Sequence, residues 1–424
     1  MSSCRRTLIV FLLIMSCSSP IPQGSPPAQN CTFANLSTPT AISDANSYAA
    51  FATMMNTANG TILNFYRRGS THAGDRGVIM LRTSTDSGAT WNLFNGTNYC
   101  SGSDPAGCIF ADASTNQFDS RNTSGGISYD GSTLIVFWMQ YNQTGGTVGG
   151  VLAGNSAGAF YSRSTDNGVS WSAPAALAGE YWTYGQLVVV PSGSPGVTGS
   201  CATGCVAVTI NGGLVPDSAR QFLIFSYDNG STWDTANQKT ITGIGTQEIA
   251  ILRTTGNQLI AFDRPTSANS PLVFLYSNDM GSTWTATTTN IALEATPQGW
   301  TVAANGQSQV SPWLTNCSLS DGSVTLFFAE RDNWNDPSTQ HVYNYLRAIT
   351  FRPQGAIASP KGFATPQDLY AQLPPITGFV NFGYPTVVKT PGNTLLIEFN
   401  QQVSASNVNL VNLYTMTATM SWQQ

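Results

Sequence analysis

The sequence predicts an all-β fold assembled from repeated units, most simply the blades of a β-propeller, and three observations carry that prediction. The pattern S-x-D-x-G-x-[ST]-W occurs four times, as STDSGATW at 84–91, STDNGVSW at 164–171, SYDNGSTW at 226–233 and SNDMGSTW at 277–284. Each copy follows an apolar stretch: VIMLRT, GAFYSR, QFLIFS and LVFLYS. The chain of 424 residues holds 40 glycines and few stretches of helical periodicity, while short apolar runs alternate with turn residues.

Each copy has a physical reading. The Asp carboxylate accepts hydrogen bonds from backbone N–H groups just beyond it. The Gly supplies positive φ without steric cost. The Trp is a large apolar body that needs burial. A single copy is an ordinary hairpin turn; four copies with the Trp in register mark repeated β-units. No internal linker divides them, so residues 43–424 are predicted to form one domain. The last strand, LVNLYTMTATMSW, is expected to pair with a strand from near residue 45, closing the ring and removing an edge.

Ahead of that domain, Arg5 and Arg6 precede the apolar run Leu8–Met15, too short to span a bilayer. Residues 1–17 therefore read as a signal peptide and 18–42 as a Ser/Pro-rich tether. Ser16-Cys17 resembles a bacterial lipoprotein cleavage site, which makes Cys17 the candidate lipid carrier; ordinary secretion is the rival. Either way the mature chain is exported, to a bacterial cell surface or periplasm or to the medium. Six cysteines then remain, and export makes disulfides the expected state. Proximity pairs Cys100 with Cys108 and Cys201 with Cys205, leaving Cys31 for Cys317. With only His72 and His341 to join the thiols, no metal-ligand spacing is recognisable, and neither metal nor cofactor is expected. Charged residues make up 9% of the chain and the formal net charge is −5, which excludes nucleic acid as a partner. The expected partner is a glycan and the expected state a monomer, with membrane contact only through a lipid on Cys17.

The four repeats are Asp-boxes, and from about residue 45 to the end the chain resembles the sialidase superfamily of six-bladed β-propellers. The boxes speak for the fold; the activity rests on other segments. In NFYRRGSTHAGDRG, Asp75 resembles the catalytic acid and Arg68 the first-blade loop arginine, with Arg67 and His72 beside them. FDSRNTSGG in the second blade adds Asp119, Arg121 and Asn122, and EYWTYGQL in the third adds Glu180, Tyr181, Trp182 and Tyr184; such residues line sugar sites or pack blades. In TQEIAILRTTGNQLIAFDR, Glu248 and Arg264 lie at the two ends of a hairpin, which places them on one edge. They resemble the catalytic Glu and an arginine of the carboxylate clamp. Either Arg331 or Arg347 completes that clamp. In FGYPTVVKTPGNTLLIEF, Tyr384 resembles the nucleophile and Glu398 the residue that braces an arginine.

One position departs from the family. Ala50 falls where the clamp's first arginine stands. Either Arg67 or Arg68 substitutes, or two arginines hold the substrate carboxylate, or the ligand is not sialic acid. The chemistry the resemblance implies suits these residue types. A neutral Tyr avoids the repulsion a carboxylate nucleophile meets at an anomeric carbon that bears a carboxylate, and a Glu beside it takes its proton. Arginine forks hold carboxylates by paired bonds. Three function classes follow: an exo-glycosidase of the sialidase type, a non-catalytic glycan-binding propeller, and a propeller glycosidase or lyase for another acidic sugar. The first requires the Tyr384 hydroxyl within hydrogen-bond reach of Glu248, with Arg264 and one of Arg331 and Arg347 close by and Asp75 across the same cavity.

Overall fold

The computed structural model describes residues 31–422 apart from 45, 73–74, 113–117, 143–155, 178–180, 195–196, 198, 213–219, 242–247, 255–257, 266, 268, 292, 294, 297, 300, 318–321, 336–342, 354–362, 364–365, 372–381 and 405–406. The signal segment 1–17, Cys17, Glu180 and most of the tether lie outside the described residues. Among the described residues, no helix is long and apolar enough to cross a membrane.

The described chain is β throughout, in a propeller-like arrangement of antiparallel sheets whose strands run outwards in chain order. Three sheets have four strands and one has five. One runs from Phe118–Ile127 to Ala175–Ala176, and the next from Tyr181–Thr183 to Asp234–Ile241. The others run from Ile249–Arg253 to Thr285–Thr288, and from Thr301–Asn316 to Gln367–Ala371. The fifth sheet has ten strands and contains both ends of the described chain. One half is the meander that starts at Tyr48–Asn56; the other starts at Phe382–Thr390 and ends at Val411–Trp422. The halves meet through a single parallel pair, Val411 with Tyr48. Hydrogen bonding thus gives five sheets rather than six separate blades, because this pair fuses the last meander to the first.

The last strand pairs with chain near residue 45 as expected, through Tyr48 and Thr40–Ala41, and also with a segment further upstream. Beyond its hairpin partner Thr394–Gln402, Val411–Trp422 pairs with Cys31–Ala34, antiparallel from Cys31↔Trp422 to Ala34↔Thr419, with Thr40–Ala41 adding a second short stretch. Residues 31–34 and 40–41, placed in the tether by composition, therefore belong to the sheet. The structure also bonds Cys31 to Cys317, Cys100 to Cys108 and Cys201 to Cys205, with Cα separations of 6.5, 6.3 and 5.0 Å.

The Asp-boxes explain how neighbouring sheets are joined. In each, the Ser hydroxyl donates to the Asp at 2.8 Å and accepts the Gly N–H at 2.8 Å. The residue before the Trp donates both its N–H and its hydroxyl to the same carboxylate. Donation from Thr90 and Ser84 brings the Asp86 carboxyl down to about 2. The turn sets the Gly at positive φ and presses it on a leucine or isoleucine of the preceding meander. Gly88 meets Leu396, Gly168 meets Leu63, Gly230 meets Ile135 and Gly281 meets Leu223. The first box thus rests on the last meander, so the packing is cyclic. The Trp follows into the same seam. Trp171 is buried against Phe65, ring centroids 5.1 Å apart, beside the stacked Phe110–Trp138 pair. Removing some 200 Å² of indole surface from water contributes about 5 kcal/mol before entropy.

Candidate active site

The first strand of each meander faces the centre, and most of these strands break register there. Bulges lie between Ala50 and Thr53, Arg121 and Ser124, Val310 and Trp313, and Gly383 and Thr386. Each holds one non-glycine residue at positive φ: Phe51 at 58°, Asn122 at 53°, Ser311 at 55° and Tyr384 at 55°. In the sheet of Tyr181–Thr183, Gly185 takes the same hand at 95°. Left-handed backbone at non-glycine residues costs of order 1 kcal/mol each and persists only where surrounding contacts impose it. Here those contacts run between adjacent sheets. Thr123 donates its hydroxyl to Phe51 O at 2.7 Å, and Ser124 to Gly185 O at 2.6 Å. The bulges re-aim side chains that a regular pleat would send into the seams.

Tyr384 and Glu248 meet at this centre. The Tyr384 hydroxyl lies close enough to the Glu248 carboxylate for each to shift the other's titration, although 136 residues separate them. Arg264 Nη1 donates to Glu248 Oε1 at 3.0 Å. Ser311 donates its N–H at 2.9 Å and its hydroxyl at 3.1 Å to Oε2. Burial opposes the charge on Glu248, but Arg264, Arg331 and these hydrogen bonds outweigh it and hold the carboxyl below its ordinary value. Tyr384 moves the other way: burial first, then the Glu248 charge, raise its hydroxyl, and Arg331 and Arg264 only partly offset them. The pair is therefore a neutral phenol against an ionised base. Arg331 donates from Nε and Nη2 to Phe382 O at 2.9 and 2.7 Å, two residues before Tyr384. It also lies close enough to Arg264 for mutual repulsion. Two guanidinium groups held together suit an anion placed between them. Gly383, at φ 135°, makes room: a Cβ there would stand 3.3 Å from Ser311 Oγ and 3.6 Å from Arg331 Nη2.

An aromatic wall stands on the other side of Tyr384. The Phe51 ring meets it edge-on at 4.8 Å, and Tyr184 does so at 6.3 Å. Behind Phe51, the Arg121 guanidinium lies 4.4 Å from the ring centroid, and His72 and Tyr48 complete the cluster. His72 Nδ1 and the Tyr48 hydroxyl are 2.6 Å apart. Phe51, next to Ala50, thus puts an aromatic ring against the nucleophile candidate in the stretch that lacks the family's first arginine.

Arg67 does not stand in for that arginine. It is wholly buried and pins the loop before the first Asp-box. Its Nε and Nη2 donate to Asp119 at 2.8 and 3.1 Å, Nη1 donates to Thr71 O at 2.7 Å, and Nη2 pairs with Asp75. Asp75 also accepts from Ser70 and Thr71. Burial opposes its charge, yet Arg67 and Ser70 hold the carboxyl below the usual range, the reverse of what an acid catalyst needs. Arg67 links it to the cluster, lying 5.7 Å from the Tyr48 ring.

Three predicted site residues go elsewhere. Arg68, next to Arg67 on a pleated strand, points the other way and pairs with Asp44 at 3.0 Å. Arg347 sits one strand outward from Arg331 and binds Glu330 at 2.9 Å and Asp368 at 2.7 Å. Glu398 braces no arginine: its hydrogen bonds come from Asn64 at 3.2 Å and Thr386 at 3.1 Å, and burial raises its carboxyl to about 8. Phe51, Tyr48 and Ser311 were not singled out by sequence. The His/Cys/Asp/Glu cluster found among the described residues, Cys100, Asp104 and Cys108, consists of a disulfide and an aspartate paired with Arg76.

Four boxes with one hydrogen-bond pattern, seated on neighbouring meanders, agree with the family comparison: residues 109–397 match the BNR repeat-like domain. The chain belongs to the BNR repeat-like family. No curated protein matches this BNR chain in sequence. Among solved structures, it is similar to a protein of unknown function from Dyadobacter fermentans, at 16% identity over 90% of this chain and 98% of that one, with a TM-score of 0.61. It is also similar to the Hadza microbial sialidase Hz136, at 16% identity over 89% and 68%, with a TM-score of 0.54. A third is the Trypanosoma rangeli sialidase in complex with 2,3-difluorosialic acid, a covalent intermediate. That match is 15% identical over 92% of this chain and 58% of that one, with a TM-score of 0.55. At such identities the likeness is one of fold: the BNR chain has the sialidase-type propeller fold.

Proposed function

We propose that the chain is an exported exo-glycosidase that releases a terminal acidic sugar from glycoconjugates, with Tyr384 as nucleophile and Glu248 as its proton acceptor. The observation that carries this reading is the convergence of Tyr384 on Glu248, whose carboxylate Arg264 holds at 3.0 Å while Arg331 grips the backbone two residues before Tyr384. In the proposed reaction the phenol oxygen bonds to the anomeric carbon, its proton passes to Glu248, and the glycosidic bond breaks as the leaving oxygen takes a proton from water, since Asp75 is held as an ion. Water then hydrolyses the tyrosyl glycoside so formed, Glu248 returning its proton to the Tyr384 oxygen. Arg264 and Arg331 hold the sugar carboxylate as a two-armed clamp. The ten-stranded sheet counts as two blades in this reading, giving six around the site, and the mature chain is a monomer, anchored by lipid on Cys17 or free.

The aromatic ring of Phe51 in the third corner favours an acidic sugar other than sialic acid. A panel of 4-methylumbelliferyl glycosides, the sialoside with uronosides and related acidic sugars, tests the reading, and Tyr384→Phe should reduce turnover about a thousandfold or more while leaving the fold intact. One observation favours a second reading, glycan binding without turnover: Asp75 is locked as an ion by Arg67. Saturable binding on a glycan array with no release from any glycoside would establish that alternative.

A further inference from the structure

The proposed base has a partner that neither the boxes nor the hairpin pattern points to. Ser311 lies in the bulge where the ladder skips from Val310↔Ala329 to Trp313↔Phe327. In a regular strand its N–H would point into the ladder. At φ 55° it is turned instead across the seam between two sheets, where it donates to Glu248 Oε2 at 2.9 Å. Pro312, next in the bulge, has no N–H to leave unsatisfied. The Ser311 hydroxyl donates to the same oxygen at 3.1 Å. The Tyr184 side chain lies beside Ser311.

We infer that Ser311 is a positioning residue for Glu248: its N–H and hydroxyl fix Oε2, set the plane of the carboxylate and hold it as the acceptor that faces Tyr384. The inference rests on the proposed function, in which Glu248 takes the Tyr384 proton. The left-handed backbone, which Ser311 shares with Phe51, Asn122 and Tyr384 in the corresponding bulges, here frees an N–H that the ladder would otherwise use. The other charged and titratable groups facing Glu248 are Arg264 at the end of its own hairpin, Arg331 from the following sheet, Tyr384 from the last meander and Tyr184 from the preceding sheet. Ser311 is the neighbour that binds Oε2 with two donors, one of which a substitution can remove without touching a charge.

The test uses Ser311→Ala and Ser311→Gly. Glycine takes positive φ without strain, so the second variant keeps the bulge and its N–H while losing only the hydroxyl. The midpoint of the Glu248 carboxylate is read directly by infrared difference titration of each protein against its own Glu248→Gln form, which needs no substrate. The acid limb of kcat/KM is read on any glycoside that the wild type hydrolyses. Both midpoints should rise by about one pH unit in the two variants, the tenfold change in proton affinity expected from losing one charge-assisted hydrogen bond. Unmoved midpoints in both serine variants, or turnover lowered equally at every pH, would overturn the positioning role. A midpoint that moves in a protein that hydrolyses no glycoside upholds the role of Ser311 and removes the proposed function instead.

Discussion

Replacing Glu398 by Gln should stabilise this protein at neutral pH. Glu398 is fully buried in the seam between the last and first meanders, with Asn64 donating to one oxygen and Thr386 beside the other. No cation faces it in these bonds, and burial raises its carboxyl from 4.5 to about 8. The sign follows from linkage. A group whose folded value is raised contributes stability in full below its unfolded value, and that contribution is lost as pH rises through the folded value. Between 4.5 and 7 the span is about 2.5 units, worth about 3 kcal/mol at about 1.4 kcal/mol per unit. Glutamine matches the protonated acid: its carbonyl accepts from Asn64 and its amide donates to Thr386 Oγ1. Urea denaturation of both proteins at pH 5, 6, 7 and 8 should show curves that lie close at pH 5 and diverge upward, the variant gaining about 3 kcal/mol by pH 7. Parallel pH dependences would refute the reasoning, because they would mean that Glu398 is ionised in the folded protein or reached by water.

Gly168→Ala should destabilise by about 2 kcal/mol or more, since φ is +85° and the new Cβ would stand 2.6 Å from Leu63 Cδ1 across the seam. Gly131→Ala is the control: with φ +71° and open space around it, it should lose only about 1 kcal/mol in thermal melts. Loop-closure entropy orders the disulfides by separation, 286, 8 and 4 residues. Paired Ser substitutions read by denaturation should therefore cost about 5 kcal/mol at Cys31–Cys317 and about 2 kcal/mol at each short loop; equal costs at all three would contradict that account.

What could be read from the sequence was whatever closes within a few residues or one hairpin. An Asp-box satisfies its own hydrogen bonds within eight residues, so its letters suffice. Glu248 and Arg264 are joined by one hairpin, Arg264 N donating to Glu248 O at 2.9 Å, so their pairing was legible too. The bulges were not, because the left-handed turn at Phe51 or Ser311 is imposed by a neighbouring sheet far away in sequence. The choice between Arg331 and Arg347 failed for the same reason. Arg347 is opposite Phe328 in the ladder, beside Glu330 and Asp368, and only the register reveals that its guanidinium is already engaged. Glu398 was misplaced because the seam it faces contains Asn64, 334 residues away, rather than an arginine. The sheet position of Cys31–Ala34 was hidden by a composition that reads as linker.

The buried and turn carboxylates together predict an acidic stability optimum. Asp86 and Asp279 are brought down to about 2 within their boxes, and Asp75 and Glu248 are also held below their ordinary values. Lowered groups contribute stability above their unfolded values, 3.8 to 4.5, and lose it as pH falls through the folded ones. Glu398 and Asp332 do the reverse. Burial, and for Asp332 the neighbouring Glu330, raise both to about 8, so their contribution is complete only below about 4 and declines towards 8. The two sets overlap in a narrow window, and the melting temperature should peak near pH 4 to 5, falling steeply on the acid side and gradually on the neutral side. The net charge, already negative at pH 7, adds self-repulsion on the neutral side and so pushes the same way. Scanning calorimetry from pH 3 to 9 measures this directly. In Glu398→Gln the neutral slope should flatten and the peak move upward; a wild-type maximum at pH 7 or above would show that the raised pair does not govern the curve.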